Sequence, residues 1–197
     1  MSSKRTIEQQ FYNIYKERIS ISAFEEWLYK AKEIESIYGD EFYFSLLDLN
    51  YKNKYIRLEL KKRIEEKIPF GEFEQERISS LLKDLQLENG DAVAILEQLY
   101  DDYCSGYSFL RFLGLSYITG IDNIPKLEQK SEWSPTEFNN KRKMLNSIAP
   151  KLIKEAERLY SFLEEGKLVI TEENKYEDTR EEEEKVELYH IERMFKK

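Results

Sequence analysis

Cysteine, histidine, proline and glycine are scarce in this chain: 1, 1, 4 and 7 in 197 residues. Each scarcity excludes something. A single cysteine, Cys104, cannot close an internal disulfide, which fits a reducing compartment. One His and one Cys, far apart in sequence, do not make the usual zinc or iron–sulfur ligand sets. Glycines scattered singly leave no phosphate-cradling loop and no dinucleotide fingerprint. Few chain breakers beside abundant Glu, Lys and Leu favour helix over a turn-rich β fold. Apolar runs of about 18 or more residues are also missing, so no membrane span is expected. The first ten residues, MSSKRTIEQQ, lack the apolar stretch of a signal peptide. The expected location is the cytoplasm.

What is present is apolar surface and charge. Hydrophobic residues make up 41% of the chain, enough for a real core, and charged residues 36%, well above the usual quarter. The net charge of −8 is uneven: +1 over residues 1–70, −7 over 71–125 and −2 over 126–197. An acidic middle repels phosphate backbones, so direct nucleic-acid binding is not expected.

Apolar periodicity predicts a mainly α protein, a multi-helix bundle-like domain with a small C-terminal β-hairpin. Its parts are an N-terminal helical subdomain (1–70), a central helical core (71–166) and an acidic hairpin or tail (167–197), packed as one compact unit. Helices are expected over residues 5–18, from Ser22, over 42–49, 53–67 and 72–87, and from Asp91 to about Tyr103. Ser22 and Glu25 form a capping-box pattern, Asp91 is a good N-cap, and Pro69 with Gly71 closes the fourth helix. Ser108 is placed to cap the next one. The segment 109–118 is apolar nearly all round and reads as the most buried. Ser134-Pro135-Thr136-Glu137 marks a strong helix start. The stripe from Leu145 to Leu163 keeps one phase across Pro150, which predicts a kink or tight break between aligned helices. Leu168 to Thr171 is a candidate strand. The tail after Val186 fits strand or helix, and the favoured pairing is 167–172 with about 185–191.

Side chains able to do chemistry are few. His190 is the sole conventional base near neutral pH, in a segment with no site signature. Cys104 follows Asp101, Asp102 and Tyr103, acids that suppress a thiolate. Adjacent acid pairs such as Glu25-Glu26 and Glu65-Glu66 arise by chance among 39 acids and read as solvated helix faces. The run Glu181, Glu182, Glu183, Glu184 reads either as a solvated turn or as an acidic surface for a basic partner. The 14 Tyr, 11 Phe and 2 Trp serve cores and binding surfaces alike. Trp27 shares the apolar face of Phe24 and Leu28 and reads as core; Trp133 fits a staple or an exposed anchor.

Residues 10–68 carry a resemblance. Phe11-Tyr12, Ile19-Ser20-Ile21, Phe24-Glu25-Glu26-Trp27-Leu28-Tyr29, Tyr43-Phe44-Ser45-Leu46-Leu47 and Leu49-Asn50-Tyr51-Lys52 occur in an order that resembles small helical proteins of Firmicute bacteria. Some of those look like immunity proteins of polymorphic toxin systems, which bind a toxin domain and block it without chemistry. The resemblance implies an inhibitor that binds without chemistry, and the missing motifs imply no cofactor and no metal. The partner would be a protein, and the acidic surface of the chain implies a toxin domain of basic charge, met at Asp91, Asp101, Asp102 and Tyr103 and along Glu181, Glu182, Glu183 and Glu184. The alternatives are a phage or mobile-element regulator that binds a host protein, an enzyme built on carboxylates, and a self-associating protein that uses the Leu145 to Leu163 stripe.

Overall fold

The computed structural model describes residues 3–87, 91–119 and 134–185. The fold is mainly helical, with one two-stranded antiparallel sheet near the C-terminal end. The chain divides into two compact units, Met1–Phe73 and Glu74–Lys197. Each has its own hydrophobic cluster.

The first unit packs α1 (Ser3–Tyr15), α2 (Ile21–Leu28), α3 (Glu33–Tyr38), α4 (Asp40–Leu47) and α5 (Ile56–Ile64), which a 3₁₀ turn, Glu65–Lys67, prolongs. The core is aromatic. Phe11 is fully buried, and Phe24, Trp27, Tyr38 and Phe42 surround its ring at 6.0–6.3 Å. Truncating such a ring costs about 3–5 kcal/mol. Trp27 is half-buried, meeting Phe11 edge-on. Ile56, Leu60 and Ile64 give α5 its inward stripe.

Two sequence expectations shift here. The cap of α2 is Ser20, not Ser22: Ser20 is extended, and its hydroxyl accepts from the Ala23 N–H at 3.1 Å. The helix thus starts at Ile21, and Ser22 lies inside it. Gly71 does not end α5. It lies in the first turn of α6 (Phe70–Gln86), which begins directly after Pro69. Proline limits the residue before it more than those after, so a new helix can follow at once.

The second unit holds the rest of α6, α7 (Ala92–Ser105), a 3₁₀ turn (Ser108–Leu110), α8 (Arg111–Thr119), α9 (Pro135–Glu164), β1 (Leu168–Glu172), β2 (Lys175–Asp178) and α10 (Glu182–Lys185). Asp91 caps α7, accepting from the Val93 N–H at 3.0 Å. Ser108 opens the 3₁₀ turn without capping it, and its hydroxyl instead meets the Tyr176 hydroxyl at 2.6 Å. α8 is less uniformly buried than its composition predicts. Leu113 is fully buried, but Arg111 is exposed and Phe112 and Leu115 are half-buried. α9 runs unbroken from Pro135 through Pro150. Leu152, Ala156, Leu159 and Leu163 hold its phase in the core.

Leu168 and Ile170 of β1 point into the core and Val169 points out. The strand pairs with β2 in the register Leu168↔Asp178 and Ile170↔Tyr176. The expected partner of β1, about 185–191, lies almost wholly outside the described residues; among those described, β1 pairs with β2. The chain reverses at Glu173-Asn174, where Asn174 takes a left-handed conformation at φ 61° that Asn tolerates well. A tight local hairpin closes less chain than the expected distant one. Residues 186–197, with His190, and Trp133 lie outside the described residues.

A buried ion triad braces this unit. Arg77 donates to Glu74 at 2.6 and 2.9 Å and to both oxygens of Asp102 at 2.6 and 2.9 Å. Glu74 is 1% exposed and Asp102 9%. Burial disfavours the guanidinium charge, and the two carboxylates overcome that and raise its pKa. Removing Arg77 would take away the cation that Glu74 and Asp102 share, a loss of about 3–5 kcal/mol.

Candidate functional site

A small concavity with charged and aromatic lining lies in the second unit. It encloses about 230 Å³ and is lined by Arg158 and Glu155 of α9, by Tyr176 and Asp178 of β2, and by Arg180 and Lys185. Ser108 and Phe109 complete the wall. That volume is below the range of ordinary small-molecule pockets.

Local sequence places these groups. The i,i+3 spacing on α9 brings the Glu155 carboxylate to Arg158, which grips it at 2.7 and 2.9 Å. A third donor of Arg158 reaches the Glu184 carbonyl at 2.6 Å. Asp178, ending β2, is held by Arg180 at 2.7 and 2.9 Å. The guanidinium beside it keeps the Asp178 carboxyl below its ordinary pKa. Lys167 binds Glu184 at 2.6 Å, which lowers the Glu184 pKa and raises that of Lys167. Phe162 lies beneath this network, with Arg158, Lys167 and Arg180 over its ring at 5.3–5.5 Å.

The Asp178 carboxylate is thus held ionised at neutral pH, accepting two hydrogen bonds from the Arg180 side chain and one from its backbone N–H. A group in that state is poorly suited to general acid–base work, which favours a pKa near the working pH. The cleft is better suited to fixing α10 and the hairpin against α9. Among the described residues, no group of three or more His, Cys, Asp or Glu is placed to hold a metal ion. Nor is any helix of the described residues long and apolar enough to cross a membrane. Cys104, in the last turn of α7, is an exposed free thiol.

The candidate contact residues differ in exposure. Asp91 and Asp101 are exposed and lie near opposite ends of α7, about 15 Å apart by helical rise. Tyr103 is half-buried. Asp102 is buried and committed to Arg77. Glu181, Glu182 and Glu183 are exposed at α10, whereas Glu184 turns back to Lys167 and to the Glu181 N–H at 3.0 Å.

A second kind of surface occurs in the first unit. Tyr29, Phe44, Tyr55 and Leu58 are large, apolar and exposed, against only Leu87 and Val169 in the second unit among the described residues. Tyr43 donates to the Leu28 carbonyl at 3.4 Å, bringing α4 beside the end of α2 where Tyr29 stands. The Phe44 ring lies 5.9 Å from that of Tyr43. Tyr51, whose hydroxyl reaches the Leu46 carbonyl at 3.0 Å, is pushed up in pKa by burial and by its neighbours, Tyr29 included. Spacing alone did not separate these outward aromatics from the core set. The signal that could have found them is their excess over what one helical face can bury.

Compared with known proteins, the chain matches no family model, no curated protein and no solved structure.

Proposed function

We propose that this protein works by stoichiometric binding to another protein, as an inhibitor of the immunity type. The observation that carries the reading is the set of exposed apolar side chains at Tyr29, Phe44, Tyr55 and Leu58. Large exposed apolar groups are the usual anchors of protein contacts, and tyrosine supplies rigid area with a polar end. They fall within residues 10–68, the stretch whose resemblance to immunity-protein-like sequences implies the same mode of action. Under this reading the target is a toxin domain, and the protein acts by covering it.

Co-expression with the product of the adjacent gene tests the proposal. A stable complex is expected, together with relief of that product's toxicity. The double substitution Tyr29→Ala and Phe44→Ala should weaken the complex by about 1–4 kcal/mol. A harmless adjacent product that forms no complex would defeat the reading, as would catalytic turnover by the purified protein.

A further inference from the structure

One stretch of the first unit opposes the charge of the whole chain. Residues 52–63 contain six basic side chains (Lys52, Lys54, Arg57, Lys61, Lys62 and Arg63) and one acidic one, Glu59, a local charge of +5 in a chain of −8. Two of the cations are used internally. Lys61 and Arg57 approach Glu17 at 3.2 and 3.6 Å, and that carboxylate is lowered in pKa by Lys61 first. Lys52, Lys54, Lys62 and Arg63 are exposed. None of these four has an ion-pair partner among the described residues.

The apolar part of this face is ordered by the helix. Ile56, Leu60 and Ile64 point inward. At about 3.6 residues per turn, Tyr55, Leu58 and Lys62 fall on the opposite side, one above another. Tyr55 is 57% exposed and Leu58 56%. The Lys54 ammonium lies 4.6 Å from the centre of the Tyr55 ring. The outward side of α5 is therefore an apolar strip with a cationic rim.

We propose that this strip docks an acidic, amphipathic segment of the partner protein, one that presents aliphatic side chains to Tyr55 and Leu58 and carboxylates to Lys52, Lys54 and Lys62. The inference rests on the protein-binding reading above and names the chemistry of the partner. It replaces the basic partner that the net charge implied. Beyond about 8 Å at physiological salt, exposed charges are screened, so a short segment senses the local face and not the chain's total. Tyr55 offers a single stacking plane and Leu58 beside it none, and a long nucleic acid senses the chain's net charge of −8 as well as the island. Those two facts favour an acidic protein segment.

The probe is a fluorescently labelled helical peptide of leucine and glutamate, titrated with the full-length protein and read by anisotropy. The controls are the matching leucine–lysine peptide and a single-stranded oligonucleotide. The acidic peptide is expected to bind, more weakly as salt rises. Its affinity should fall ~10-fold or more with Lys54→Glu plus Lys62→Glu, and also with Leu58→Ala, all exposed positions. Equal or tighter binding of the basic peptide or the oligonucleotide would overturn the inference, as would no binding at all. The same charge-reversal variant is tested against the adjacent gene product. If that complex forms with the wild type and survives the reversal, the assignment of the face fails while the protein-binding reading stands. If no complex forms with the wild type, the broader reading itself fails.

Discussion

Gly106 illustrates how one residue can be fixed by two independent constraints. It caps α7 at φ 133°, outside the region open to other residues, and a Cβ there would meet the Asn174 carbonyl oxygen at 2.8 Å. The Asn174 N–H is held by the Tyr107 hydroxyl at 3.0 Å, so the hairpin turn cannot move away freely. Gly39 shares only the first constraint, with φ 89° and open space around it. Gly106→Ala should therefore destabilise its unit by about 1–3 kcal/mol, and by more than Gly39→Ala destabilises its own. Urea unfolding of the two variants checks this. Equal losses would show that the contact with Asn174 adds nothing. In sequence Gly106 reads only as punctuation, because its contact is with a turn 68 positions away.

The hairpin and α10 depend on ion pairs whose acids have lowered pKa values. Asp178 is depressed chiefly by its hydrogen bond from Arg180, and Glu184 chiefly by that from Lys167. A carboxylate with a depressed folded pKa contributes stability that is complete above the unfolded value, near 4, and is lost as pH falls through the folded value. Acidification below about pH 4 should thus release residues 168–185 before α8 melts, because α8 carries no acid and the contacts of its buried Leu113 do not titrate. Amide exchange followed by mass spectrometry at falling pH would report it. Simultaneous loss of protection in both segments would count against it. The sequence showed these elements unevenly. The starts of α7 and α9 were legible because Asp91 and Ser134-Pro135 act locally. The partner of β1 was not, since alternation in 186–191 looks like a strand and nothing local reveals that Asn174 will take the left-handed turn. The cleft was illegible for a related reason: Arg158, Tyr176 and Arg180 meet only after β2 folds back.

Across the whole chain, the two hydrophobic clusters share no residue. Cooperative units of exchange tend to follow such cores. Phe24→Ala, a truncation in the first cluster, should speed amide exchange across residues 3–64 and leave residues 92–119 near the wild-type rate. Acceleration of both regions by the same factor would mean that the chain opens as a single unit. Composition predicted enough apolar material for a core but not its partition. Averaging had a second cost, since +1 over residues 1–70 concealed the cationic island on α5 among the acids of α2 to α4.

The free thiol at the end of α7 bears on how any of these experiments is run. Cys104 is solvent-accessible and has no second cysteine in the chain to pair with. Air oxidation would join two molecules through it, giving a covalent dimer unrelated to recognition that imitates self-association on a sizing column. Reductant, or Cys104→Ser, removes that artefact, and the same lone sulfur offers a single attachment point for a maleimide dye.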